Sequence, residues 1–349
     1  MFAPEKTKLP GIQGLRAIAA LAVMYCHSTY GLPEYTYTAL GASGRHGYLG
    51  VYMFFVISGF IVPFTMFHGG YTLKNFWRFM AKRMIRVEPP YLASIGISLL
   101  IWWASQFSSM YRGGEPQVTW TQFGLHLGYL IPYFPNYKWI SGVYWSLAVE
   151  FQYYISLSLL FPLFVSRKPA IRITACLAFA SVCLIWRPHQ SLLELAPVFV
   201  VGIVAALYRL GIASRNEMFA LVAVCAVLTS ISLWWQVVAV TLLTWACVVW
   251  VNRMPVILLF VGDISYSLYL LHDMVGRRVV HIGQHFVPER FDYVLPFAAM
   301  SVSLVCAFAM YRILELPAKR WASSIKYRRE PKDLADPSPA TSQVLTSSH

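Results

Sequence analysis

Gly14-Leu15-Arg16-Ala17-Ile18-Ala19-Ala20-Leu21-Ala22-Val23-Met24-Tyr25-Cys26-His27 decides the fold class. It is an apolar segment interrupted by one arginine and one histidine, eleven residues apart. At about 100° per residue, eleven steps come to roughly three turns, so the two share a helix face and lie about 16 Å apart along the axis. With Arg16 at a membrane edge, His27 falls inside the hydrocarbon. A charged group there costs at least about 2.5 kcal/mol, so an ionisable side chain at that depth faces a bundle interior or a wet cavity and is a functional candidate.

The rest of the chain has the same character. Its 349 residues are 58% hydrophobic and 12% charged, and the mean hydropathy of +0.55 lies outside the range of water-soluble domains. Windows long enough to cross a roughly 30 Å hydrocarbon layer recur along it. They predict an all-α polytopic bundle of about ten transmembrane helices, at 12–30, 49–67, 89–106, 143–165, 173–186, 191–208, 217–233, 236–252, 256–275 and 293–313. Residues 216–254 admit two short helices about Trp234-Trp235-Gln236, or one longer helix with a re-entrant piece. In the connection 107–142, Phe123, Leu127, Leu130, Ile131 and Phe134 recur at helical spacing, which predicts a short interfacial helix.

A net charge of +13 raises the possibility of a nucleic-acid partner, but its distribution argues against one. With the N-terminus cytoplasmic, 21 of the 28 Lys and Arg fall on the inner side and 7 on the outer. That bias supports ten crossings with both termini in the cytoplasm. The first span is not expected to be a cleaved leader, because Arg16 interrupts it and no small-x-small pattern follows. All six cysteines fall within predicted spans without metal-type pairing, so no metal site is expected and they read as packing residues. Residues 1–321 form the expected membrane domain, and 322–349, charged and then Ser/Thr/Pro-rich, a disordered cytoplasmic tail.

Rise per residue converts position into depth. His27 lies roughly 22 Å from the inner face, Glu150 some 20 Å and His272 near 24 Å. Three helices thus place ionisable groups at one level, which predicts convergence on a cavity in the outer half. Ser146 precedes Glu150 by four residues, and Ser265, Tyr269 and His272 follow an i, i+4, i+7 stripe, so each helix presents a polar seam. Interhelical hydrogen bonding is the alternative role for each. Ser58, beside Gly59, reads as a close-packing position. Arg83 and Arg86, spaced i, i+3, suit phosphate oxygens, against the alternative of topogenic charge or lipid contact.

On these stretches the chain resembles the acyltransferase 3 family of bacterial integral-membrane O-acyltransferases. The likeness rests on Gly14 to His27, Phe54-Phe55-Val56-Ile57-Ser58-Gly59-Phe60, Arg83-Met84-Ile85-Arg86 with Pro89 and Tyr91, Trp145 to Glu150, Ser265 to His272 and Glu315-Leu316-Pro317. It implies a bundle in the bacterial inner membrane in which Arg16, His27, Arg83 and Arg86 are essential. It also implies an acyl-CoA co-substrate, most often acetyl-CoA, with no permanently bound cofactor. The implied acceptor is a sugar hydroxyl of a surface polysaccharide, lipid-linked oligosaccharide or related glycoside. Some members carry a further span and a C-terminal soluble domain; nothing foldable follows Trp321, so the stand-alone form is expected.

Transfer from a thioester to an alcohol needs a base and a stabiliser of the oxyanion. His27 is the expected base, or an acyl carrier in its own right. Glu150 is expected to orient it, with Ser146, Tyr269 or His272 binding substrate or donating to the oxyanion. Arg16, Arg83 and Arg86 are expected to hold the donor's phosphates, with the acceptor arriving from the opposite side. Two rivals stand beside this: a transporter or flippase of a lipid-linked sugar using an intramembrane His/Glu relay, and a purely structural bundle.

Overall fold

The computed structural model describes residues 9–107, 118–185 and 189–327. Thirteen α-helices appear among them: α1 Pro10–Thr29, α2 Ala39–Gly44, α3 Gly50–His68, α4 Phe76–Ser105, α5 Trp120–Leu127, α6 Trp145–Phe164, α7 Pro169–Ile185, α8 Leu192–Arg209, α9 Arg215–Ser232, α10 Trp235–Trp250, α11 Val256–Gly283, α12 Leu295–Met310 and α13 Leu316–Ser324. No strand occurs among the described residues. Seven described helical stretches are long and apolar enough to cross a membrane, and α7 and α10 are shorter apolar helices. With α1, each of the ten expected windows has a helix. Leu233 and Trp234 separate α9 from α10, so this region holds two short helices.

The third window needs correction. Its helix starts at Phe76 rather than near Pro89 and runs 30 residues, about 45 Å, through Pro89 and Pro90. Without N–H groups, Pro89 and Pro90 leave the Ile85 and Arg86 carbonyls without their usual helical donors. Prolines are tolerated inside membrane helices where neighbouring helices support the turn, and here Tyr266 of α11 donates its hydroxyl to the adjacent Val87 carbonyl at 2.8 Å. Arg83 and Arg86 therefore lie on the same continuous helix as the third window rather than before it. The last window also ends differently: past α12 the chain makes a π turn, Tyr311–Glu315, and continues as α13.

Packing around the site depends on small residues that let backbones approach. A Cβ on Gly59 of α3 would lie 2.3 Å from the Phe199 carbonyl oxygen of α8, and one on Gly202 would lie 2.2 Å from that of Val56. The α3–α8 contact is thus a backbone-to-backbone seam, and α8 is buried along nearly its whole length. On the other flank α1 packs on α11, and α11 on α12. The six cysteines are free, and four of them are buried.

The short helix α5, in the connection where one was expected, is capped by Thr119, whose side chain accepts from Gln122 N at 3.1 Å. Ile131 turns inward at 4% exposed, while Leu127 and Leu130 stay outside. His126 pins the segment. Its Nε2 accepts from Ile140 N at 3.2 Å and its Nδ1 meets the Tyr91 hydroxyl at 3.1 Å. Burial pushes this imidazole down to about 4, so it is neutral at ordinary pH.

Candidate active site

Two cavities meet near the middle of the bundle. The first gathers Arg16 from α1, Arg83 and Arg86 from α4, and the carboxylates Glu150 of α6 and Glu315 of the π turn. Arg16 Nε donates to Ser265 Oγ at 3.2 Å. Arg83 reaches Thr65 Oγ1 at a marginal 3.4 Å and lies over the rings of Phe79 and Tyr154. Arg86 makes no hydrogen bond or ion pair among the described residues. Guanidiniums within a bundle, held mostly by neutral hydroxyls or without a partner among the described residues, keep N–H donors for the oxygens of an anion.

The second cavity contains His27, with Tyr48, Tyr52, Trp145 and Glu194 around it. His27 Nδ1 lies 2.8 Å from Asp273 Oδ1, and the same oxygen accepts from Arg277 Nε at 2.7 Å. A carboxylate only accepts, so Nδ1 carries a proton, and in the neutral ring Nε2 then presents a lone pair. Asp273 itself faces a third cavity, beyond Gly142, with Arg277 and Ser141.

The structure brings some of the expected residues together and separates others. His27 and His272 meet edge to face with ring centroids 5.0 Å apart. Glu150 does not join them: its Oε1 accepts from Ser58 Oγ at 2.6 Å, and it faces the arginine cavity. The imidazole's orienting carboxylate is Asp273, not Glu150. Depth along the membrane normal says nothing about which way a side chain points around its helix axis, and Glu150 points away from His27. Ser58, expected as a packing position, gives that role to its neighbour Gly59 and serves as the hydrogen-bond donor to Glu150.

His272 is also redirected. It is 1% exposed, its Nδ1 lies 2.8 Å from the Tyr269 carbonyl and 3.2 Å from that of Leu268, and its Nε2 has no partner among the described residues. Two carbonyls at Nδ1 place the proton there, so the neutral ring has only an acceptor left and cannot donate to an oxyanion. Tyr269 OH stands between Ser146 Oγ at 2.7 Å and the Val143 carbonyl at 3.1 Å. With Val51, Tyr269 lines both cavities and forms the partition between guanidiniums and imidazole.

Asp273 was missed in the sequence, and Glu315 was named there only as part of a motif, with no role in the site. Asp273 sits two positions inside the expected end of its span, where a carboxylate reads as a boundary charge; its signal was that it follows Ser265 and Tyr269 at i+8 and i+4 on the same face. Glu315 lay two residues beyond the expected end of the last span. The π turn carries it to complete burial, with Oε2 accepting from Ser267 N at 3.1 Å and from Ser267 Oγ at 2.6 Å.

A membrane bundle with an Asp-oriented imidazole beside a cavity lined by three arginines has the parts of an acyl-transfer enzyme. The model of the acyltransferase 3 family, described as an acyltransferase domain, matches residues 9–312. The chain belongs to this family and is a membrane acyltransferase. It is 24% identical to acyltransferase MdmB of Streptomyces mycarofaciens, with 98% of each chain covered. It is 22% identical to a protein named as a putative O-acetyltransferase in Staphylococcus aureus strain COL, covering 89% of this chain and 57% of that one. Over 48% of this chain it is 29% identical to the O-acetyltransferase OatA of Staphylococcus aureus, of which it covers 26%. No solved structure matches the chain.

Proposed function

We propose that the chain transfers an acyl group, acetyl in the simplest case, from acyl-CoA to a hydroxyl of a sugar-containing acceptor. The observation that carries this is the pairing of two neighbours: three guanidiniums without a carboxylate partner among the described residues, and, across the Tyr269 and Val51 partition, an imidazole whose Nδ1 is held by Asp273. The donor's phosphates bind Arg16, Arg83 and Arg86, and its pantetheine arm runs toward Tyr269. The acceptor enters the cavity of His27, where Tyr48, Tyr52 and Trp145 offer ring faces to a sugar.

His27 Nε2 takes the acceptor's hydroxyl proton as the oxygen attacks the thioester carbonyl. The tetrahedral oxyanion collapses, the C–S bond breaks, and the imidazolium returns its proton to the departing CoA thiolate. Asp273 stabilises that imidazolium and fixes the ring. The positive-inside bias supports an arginine cavity that faces the cytoplasm, where acyl-CoA is made, with both termini on that side; on this reading the membrane is the bacterial inner membrane.

The test is thiol release from acetyl-CoA in membranes that supply the native acceptor. His27→Ala should lower the rate by about 10²–10⁴, the usual worth of a positioned general base. Wild-type release from this variant would eliminate the proposal.

A further inference from the structure

A fully buried carboxylate that shares a cavity with three guanidiniums ordinarily takes one of them as a bidentate partner. This bundle contains that arrangement elsewhere: Arg172 grips both oxygens of Glu217, each at 2.6 Å. Glu315 does otherwise. It lines the arginine cavity and lies within electrostatic reach of Arg86, yet its partners are Ser267 and, at 2.7 Å, Lys319 Nζ.

Lys319 is held in turn. Its ammonium donates to the Asp263 carbonyl at 3.1 Å and lies 5.0 Å from the centroid of the Tyr311 ring. Its side chain is 24% exposed and that of Glu315 only 1%, which separates this contact from ordinary solvent-facing i, i+4 pairs worth a few tenths of a kcal/mol. The i, i+4 spacing of the first turn of α13 brings the two together just past the π turn. A widened turn changes the rotational register of the helix beyond it, and here it spans Tyr311 to Glu315, immediately before the turn that carries Lys319.

We propose that Lys319 is a positioning residue for the acyl donor: by neutralising Glu315 it keeps Arg16, Arg83 and Arg86 available for phosphate oxygens. This rests on the assignment of the donor to the arginine cavity. Without the ammonium, Glu315 draws in a guanidinium, and the donor loses both that fork and one unit of positive charge. Lys319 does not line the cavity and acts only through Glu315, so removing both residues restores what removing Lys319 alone destroys.

The experiment is equilibrium binding of CoA to the purified full-length chain in lipid nanodiscs. Lys319→Gln should raise Kd about tenfold, the cost of diverting one hydrogen bond to a charged group. Lys319→Arg should stay within about threefold of wild type, as should the Glu315→Gln/Lys319→Gln double variant, because the carboxylate no longer needs a counter-ion. Glu315→Gln alone should bind at least as tightly as wild type and covers the case in which Lys319→Gln fails to fold. An unchanged Kd in Lys319→Gln, or a double variant as weak as Lys319→Gln, overturns the role of Lys319 while Arg86→Gln still weakens binding. If Arg83→Gln and Arg86→Gln both bind like wild type, the donor assignment itself is wrong.

Discussion

Asp273 offers the sharpest test of the chemistry, because two substitutions there should differ by a predictable amount. His27 Nδ1 and Arg277 Nε both use Oδ1, leaving Oδ2 outside these contacts. Asparagine can keep its amide oxygen in that place and continue to accept from both. Asp273→Asn therefore removes the charge while preserving the geometry. A hydrogen bond to a charged group contributes about 1.5–3 kcal/mol and a neutral one about 0.5–1.5, so roughly 1.5 kcal/mol is lost, or about tenfold in kcat. Asp273→Ala also frees the imidazole to rotate and to change tautomer. It should fall toward the full value of a positioned base, about 10²–10⁴. Arg277 at its i+4 position is then left without its partner, so expression and melting temperature must be measured beside the rate. The assay is thiol release at saturating acetyl-CoA, with KM followed separately. KM should change little, because Asp273 does not line the arginine cavity. Alanine and asparagine variants of equal activity, or an alanine variant within about threefold of wild type, would refute the claim that this carboxylate holds the catalytic ring.

Arg86→Gln should raise the KM for acyl-CoA about tenfold or more with a smaller effect on kcat, since a guanidinium not engaged by protein carboxylates contributes to ground-state binding. Gly202→Ala places a Cβ 2.2 Å from the Val56 carbonyl oxygen and must separate α3 from α8. A drop in detergent melting temperature and in folded yield is expected, at a cost of about 1–3 kcal/mol for such overpacking. His126 predicts a pH effect confined to the α5 connection. Its folded value of about 4 lies below the ordinary histidine value of 6.5, so the unfolded segment binds the extra proton and stability is lost as pH falls through that interval. Ionising it also sets a new N–H against the Ile140 N–H. Hydrogen-exchange protection factors over residues 118–145, which divide out the intrinsic pH dependence of exchange, should therefore fall between about pH 6 and 4, and His126→Asn should remove that dependence.

The ten membrane windows were legible because hydrocarbon thickness imposes a length and a polarity that no packing detail can override. His27 and the arginines were legible for the same reason, since ionisable groups within apolar runs are costly wherever they point. Asp273 and Glu315 were not, because each lies within two residues of an expected boundary, where a carboxylate carries no cost that singles it out. Pro89 and Pro90 hid the start of α4, since a proline pair ordinarily reads as a helix boundary, and the Tyr266 hydroxyl that braces the adjacent Val87 carbonyl comes from a helix some 180 residues later.

Composition and periodicity by themselves thus determined that this chain is a helical membrane bundle with polar seams, and the ordered motifs pointed to acyl transfer. Only the tertiary structure decided the partners: Asp273 rather than Glu150 against His27, Ser58 against Glu150, Lys319 rather than an arginine against Glu315. The physical reason is that a period of 3.6 residues assigns a side chain to a face of its own helix. Which neighbour that face meets depends on helix rotation and close approach, and those are set by contacts between residues far apart in the chain, such as Gly59 against Gly202.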